Sequence, residues 1–185
     1  MTSLATQRFD KLSTNFATSE VHSSSHSIRR LHELLDLPAG ASVVDIACGA
    51  GHLALSFAGR AKRIVGVDGA PTMMGAFQRL ANEKAIQVET VLAMSDSVSL
   101  RSGEFDVAVS RLAPHHFPNL QASVREMARL VRPGGMSQLS TCMATTIPTL
   151  TNSTIGWKFC TIQRTSEATR RWPGEIPWRA PIWRS

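Results

Sequence analysis

Two glycines and an aspartate stand at a spacing that suits nucleotide chemistry. Gly49 and Gly51 lie in the run Val43-Val44-Asp45-Ile46-Ala47-Cys48-Gly49-Ala50-Gly51-His52-Leu53, and Asp68 ends the run Arg63-Ile64-Val65-Gly66-Val67-Asp68, 19 residues after Gly49. Glycines let a backbone approach a ligand closely, and the N–H groups of a strand-to-helix turn attract polar or anionic ligand groups. A carboxylate at the end of the following strand can accept hydrogen bonds from both hydroxyls of a ribose. Each signal also has a plainer reading. A turn of small residues can be packing alone, and Asp68 can be the N-cap of a helix that begins near Pro71, a role compatible with ribose binding.

The elements that must position these residues are legible from their periodicity. Ala41 to Ala47 is a short apolar run between Pro38 and Gly40 on one side and the turn on the other, the pattern of a parallel strand buried on both faces. From His52, the residues Leu53, Leu55, Phe57 and Ala58 predict a short helix capped near Gly59. Arg63 to Asp68 is a second strand, and Pro71 opens a helix reaching Glu83 or Lys84 with Met73, Met74, Phe77 and Leu80 turned inward. Upstream, Ser27 N-caps a helix to Leu37 with Ile28, Leu31, Leu34 and Leu35 on one face. Downstream, strands over Ile86 to Ala93 and Phe105 to Ser110 precede an amphipathic helix from Leu120 to Val131. Pro133-Gly134-Gly135 breaks that helix and leads into a weakly alternating fifth strand from Met136.

Four segments in order, DIACGAGHLALSFA, GVDGAPTMM, EFDVAVSRLAPHHF and REMARLVRPGGM, resemble the class I S-adenosylmethionine-dependent methyltransferases, in particular the type 11 family similar to ubiquinone and menaquinone biosynthesis methyltransferases. The resemblance covers roughly residues 8 to 136. It implies an α/β fold, a Rossmann-like doubly wound sheet, expected here to lack the last strands of the family's seven-stranded arrangement. It implies S-adenosylmethionine as cofactor and a small-molecule methyl acceptor. The implied cofactor residues are Asp45, Ala47 in the place of the family's first glycine, Gly49, Gly51, Asp68, Gly69 and Met73, with Ser110 and Arg111 at the methionine end.

This chain departs from the family after the third strand. The acid that contacts the adenine amino group is replaced by Met94, leaving Asp96 or the backbone near Ser95 to serve the adenine edge. An N-terminal segment with Phe16, Ser19 and His22 matches the family's lid, although a loosely attached surface helix fits it nearly as well. His22 and His115 are the candidate bases for an acceptor that carries a proton. His22 rests on the resemblance alone, since a lone histidine among serines is as a rule simply solvated. His115 and His116 are adjacent, point in different directions and lack a third ligand at useful spacing, so no metal site is expected.

Composition bounds the alternatives. At 185 residues, with 43% apolar and 18% charged residues, the chain has the size and make-up of one globular domain. No apolar window reaches membrane-span length, and the first residues lack a signal-peptide core, so a cytoplasmic location is the default expectation. Cys48, Cys142 and Cys160 are odd in number and widely spaced, which argues against a disulfide framework.

The net charge of +6 invites a nucleic-acid reading. Between Thr151 and Ser185, however, six basic residues face two acids, so the excess sits in the tail while the motif-bearing core is close to neutral. All four tryptophans (Trp157, Trp172, Trp178, Trp183) share that tail with Pro, Arg, Ser and Thr, without a sustained helix or strand period. The expected organisation is a lid segment over 1–26, a cofactor-binding domain over 27–143 and an atypical tail over 144–185, either truncated, frame-altered or divergent. Methyl transfer is the expected function. The alternative is a weakly active or non-catalytic remnant, with a partner- or nucleic-acid-binding tail as the lesser reading, and oligomeric state is not legible.

Overall fold

The computed structural model describes residues 25–35, 37–145 and 154–163. In chain order the elements are α1 (Ser25–Leu34), β1 (Ala41–Ile46), α2 (His52–Leu55), β2 (Ala61–Asp68), α3 (Pro71–Glu83), β3 (Glu89–Leu92), β4 (Phe105–Arg111), a 3-10 turn (Pro114–His116), α4 (Leu120–Leu130), β5 (Val131–Thr145) and β6 (Thr154–Gln163). The strands form one sheet in the order β3-β2-β1-β4-β5-β6. β1 pairs in parallel with both β2 and β4, so that Asp45 lies opposite Gly66 on one side and Val109 on the other. Strand order reverses between β1 and β4, and the crevice beyond their carboxyl ends is where open α/β sheets bind ligands.

β1 is buried at every position because both faces of the sheet are covered. Successive side chains go to opposite faces. Val43 joins Leu31, Leu53, Phe57, Ile64, Phe77 and Val107 on the face under α1, α2 and α3. Val44 joins Val65, Val67, Phe105, Ala108, Met127 and Leu130 under α4. Of the predicted inward set of α3, Met73, Met74 and Phe77 are buried and Leu80 is partly buried against the same core.

Several boundaries differ from the expectations, each for a local reason. α1 begins two residues early, and Ser27 lies inside it, completely buried, instead of capping it. α2 is a four-residue helix that unwinds into turns through Arg60. β3 contracts to Glu89–Leu92 at the exposed sheet edge. The Pro133-Gly134-Gly135 interruption is a bulge and not a gap, because Phe105 pairs with Val131 and Val107 already pairs with Met136. β6, antiparallel to β5 with Met136 opposite Gln163 and Thr145 opposite Thr154, adds a strand where the sequence predicted none.

Ionic groups fasten the amino ends of the strands, away from the crevice. The Ser42 backbone N–H and hydroxyl both donate to Asp106 Oδ2 at 2.7 Å, and Arg132 Nε donates to Oδ1 at 2.6 Å. Burial pushes the Asp106 carboxyl up, but these bonds outweigh it and hold the group at about 2. Arg63 bridges Glu89 and Glu104 with bonds of 2.7 and 2.8 Å. Among the described residues no helix is long and apolar enough to cross a membrane.

Candidate functional site

The crevice is built on the turn between β1 and α2. Cys48 N–H donates to Val67 O at 3.0 Å, which pins the turn to β2, and Gly51 N–H donates to Cys48 O at 2.9 Å. Three residues of the turn are left-handed: Ala47 at φ 55°, Gly49 at φ 54° and Gly51 at φ 83°. Gly51 is fixed by contact as well as by φ, since a Cβ there would run into the Phe77 ring. Gly66 on β2 is constrained by the same ring and by Cys48 Sγ, so Phe77 fills the space that both glycines leave. A Cβ at Gly49, in contrast, would meet nothing within 4 Å, so the turn has open space above it for a ligand.

Ala47 pays for its conformation, because a left-handed non-glycine residue costs roughly 1–2 kcal/mol. Glycine would relieve that strain and lose part of it to a more flexible unfolded chain. Ala47→Gly is therefore expected to stabilise the domain by about 0.5–1 kcal/mol, read as a rise of roughly 2–4 °C in melting temperature. An unchanged or lower melting temperature would show that Ala47 is not strained.

Asp68 spans the turn and the start of α3. Its Oδ2 accepts from Gly49 N–H and its Oδ1 from Ala70 N–H, both at 2.9 Å. A carboxylate oxygen has two acceptor directions, so these bonds do not exhaust the half-buried group. Gly69 adjoins it, and Met73 is buried one turn into α3.

Asp45, at the end of β1, is 2% exposed and accepts from Ala54 N–H at 3.1 Å. Burial raises its carboxyl to about 7; the Arg111 charge and the Ala54 bond act the other way, and Asp68 adds a smaller upward push. Desolvation and the two acids also push the Cys48 thiol well above its ordinary value, so it is an inert packing group. α2 is too short to carry much of a helix dipole, so attraction for polar ligand groups falls on the turn N–H groups and these carboxyls.

The other predicted residues are brought partly together. Ser110 is completely buried at the end of β4, and its hydroxyl has no hydrogen-bond partner among the described residues. Arg111 is also buried, and its Nη1 donates to Ser27 Oγ at 2.9 Å. Past β3, Ser95 Oγ shares a 2.8 Å hydrogen bond with Ser123 Oγ, which turns the hydroxyl toward α4. Asp96 is half-buried in the small loop closed by the Met94–Ser97 bridge. His115 sits exposed in the 3-10 turn after β4, its ring 3.9 Å from that of His116. His22 lies outside the described residues.

Sequence reasoning missed the paired roles of Gly66 and Phe77 and the bond between Arg111 and Ser27. A glycine inside a strand pattern was the available signal for the first. Nothing in the spacing signals the second, which joins residues 84 apart.

Open space over Gly49 and two carboxyls around the turn make a polar crevice at the carboxyl ends of β1 and β2. Together the sheet order and the turn define a Rossmann-like, doubly wound α/β domain. Residues 44–138, just over half of the chain, match the family described as methyltransferase domain, and the chain belongs to that family.

Among curated relatives it is 34% identical over 94 residues to the uncharacterized methyltransferase YcgJ of Bacillus subtilis, covering 50% of this chain and 37% of that protein. It is 35% identical over 108 residues to the ubiquinone biosynthesis O-methyltransferase of Xanthomonas oryzae pv. oryzae, covering 58% and 45% respectively. The chain thus spans less than half the length of these relatives. The crystal structure of YcgJ superposes with a TM-score of 0.62 at 31% identity over 66% of this chain and 53% of that one. A SAM-dependent methyltransferase from Aquifex aeolicus, 13% identical, shares the fold with a TM-score of 0.64 over 75% of each chain.

Proposed function

We propose that this domain binds S-adenosylmethionine in the crevice between β1 and β4 and transfers its methyl group to a small-molecule acceptor. The observation that carries the reading is the Asp68 carboxylate, held against the Gly49 N–H at 2.9 Å beside an open glycine turn. In this reading Asp68 receives the ribose hydroxyls, and Gly49 and Gly51 let the backbone approach. Ala47, Gly69 and Met73 wall the ribose end, and the backbone near Ser95 with Asp96 takes the adenine edge. Asp45, Ser110 and Arg111 surround the amino-acid end.

The bound cofactor would supply an electrophilic methyl on a sulfonium, so the chemistry asked of the protein is alignment and exclusion of water. A proton on the acceptor would pass to His115 or His22. Oxygen is the acceptor atom to assay first, since the Xanthomonas relatives are named O-methyltransferases. The proposed organisation is a lid over 1–26 and a cofactor-binding unit over 27–143, acting in the cytoplasm.

Calorimetric titration of the folded chain with S-adenosylmethionine and with its demethylated product tests the reading. Saturable one-to-one binding of both is the expected result. Absence of heat and of any ligand-induced rise in melting temperature, with protein shown to be folded, would overturn it.

A further inference from the structure

Arg111 is a long cation sealed inside the protein, 8% exposed, whereas Arg30, Arg63 and Arg132 reach acids nearer the surface. It donates a hydrogen bond to Ser27 Oγ, itself 0% exposed, near the start of α1. Arg111 ends β4 and Asp45 ends β1, adjacent strands on the two sides of the crevice. Asp45 in turn accepts from the first amides of α2 at Ala54. The cation therefore ties the helix that follows the N-terminal segment to the end of β4, the strand beside the one that carries Asp45.

We infer that Arg111 is a positioning residue, which docks the start of α1 on the crevice through Ser27 and, from the adjacent strand, favours the ionised form of Asp45 that suits the cationic end of the ligand. This inference rests on the cofactor reading above for the ligand, but the docking of α1 and the charge of Asp45 exist without one. The guanidinium fork suits the first task and the permanent charge the second. A lysine would keep only the charge, and a methionine would keep neither.

Among the described residues, the charged and titratable groups facing Asp45 are Arg111 from β4, Asp68 from β2 and Cys48 from the turn. Arg111 is the cation among these described residues; burial works against its own charge and the Asp45 charge opposes that only in part, the reciprocal of the same interaction. Removing that cation leaves Asp45 with burial and a neighbouring acid, both of which favour its neutral form.

The experiment uses the full-length chain as Arg111→Met, Arg111→Lys and Ser27→Ala, with two readouts that need no ligand. Carbon-13 carboxyl titration follows Asp45, and amide hydrogen exchange follows α1. Arg111→Met is expected to raise the Asp45 midpoint by about 1–2 pH units, while Arg111→Lys and Ser27→Ala leave it in place. All three are expected to lower exchange protection of α1 relative to α4.

Titration with S-adenosylmethionine then adds the ligand arm: binding by Arg111→Met should weaken most at neutral pH and recover as pH rises, and Ser27→Ala should weaken it evenly across pH. An Asp45 midpoint that does not move in Arg111→Met, or unchanged α1 protection in Ser27→Ala, overturns the inference. If wild-type protein fails to bind the ligand while both ligand-free readouts shift as stated, the cofactor reading falls and the positioning of Asp45 and α1 by Arg111 stands.

Discussion

Asp68→Ala is expected to eliminate calorimetrically detectable binding of S-adenosylmethionine while the chain stays folded. Two charge-assisted hydrogen bonds to ribose hydroxyls are worth roughly 1.5–3 kcal/mol each, so their joint loss corresponds to about 10² to 10⁴ in affinity. The substitution also strands the Gly49 and Ala70 amides that the carboxylate now accepts, so the turn itself loosens. That cost is limited because Asp68 is half-buried and water can reach both amides.

Asp68→Asn separates the two effects, since one amide oxygen can still accept from the turn but cannot receive both hydroxyls. Its affinity should fall between those of the parent and the alanine variant, with a melting temperature close to the parent's. If Asp68→Ala binds the cofactor as tightly as the parent, the carboxylate serves α3 alone as its cap.

Asp45→Asn should move stability and binding in opposite directions. The Asp45 carboxyl stands at about 7 in the fold against an ordinary 3.8, with burial as the main cause. Between those values the folded protein keeps a proton that the unfolded chain has lost, so stability falls as pH rises from about 4 to about 7, and the full cost is present above 7. Asparagine keeps an oxygen for the Ala54 N–H and carries no charge to bury.

At pH 8 the variant should therefore be more stable than the parent by about 2–4 kcal/mol, and at pH 4 nearly equal to it. Thermal melts of both proteins across that range check the prediction, and parallel curves at all pH values would refute it. Cofactor binding by the variant should be weak throughout, whereas parent binding should strengthen toward pH 7 as Asp45 gives up its proton to a cationic ligand. A binding site that costs the empty fold stability in this way is a familiar trade between function and stability.

Much of this arrangement was readable from local pattern. Buried parallel strands leave continuous apolar runs, which is why Ala41–Ile46, Ala61–Asp68 and Phe105–Arg111 were found within two residues. The glycine turn and Asp68 stand out in the sequence by residue type and spacing, and the fold brings the Gly49 N–H and the Asp68 carboxylate together. What escaped depends on contacts between distant segments. Ser27 has the residue type of a cap, but its hydroxyl is taken by Arg111 inside the domain. Ser95 stood next to the missing adenine acid, and its hydroxyl went instead to Ser123, a partner 28 residues away.

β6 escaped for a compositional reason. Ile155, Trp157 and Phe159 do alternate with Gly156 and Lys158, but the stretch is short and sits among prolines and arginines that suggest an irregular tail. Pairing with β5 supplies the order that its own sequence only weakly specifies.

The seam between β1 and β4 also has a kinetic meaning. β1 meets β2 after one short crossover, but it meets β4 only when Ser42 finds Asp106 across 64 residues of chain. Contacts of that separation form late in folding, because the loop-closure entropy must be met before they add stability. The crevice opens on this seam, so it does not exist until β4 has docked against β1. A ligand held there can act only on the finished fold, where it should lengthen the lifetime of the native state and leave the rate of reaching it unchanged.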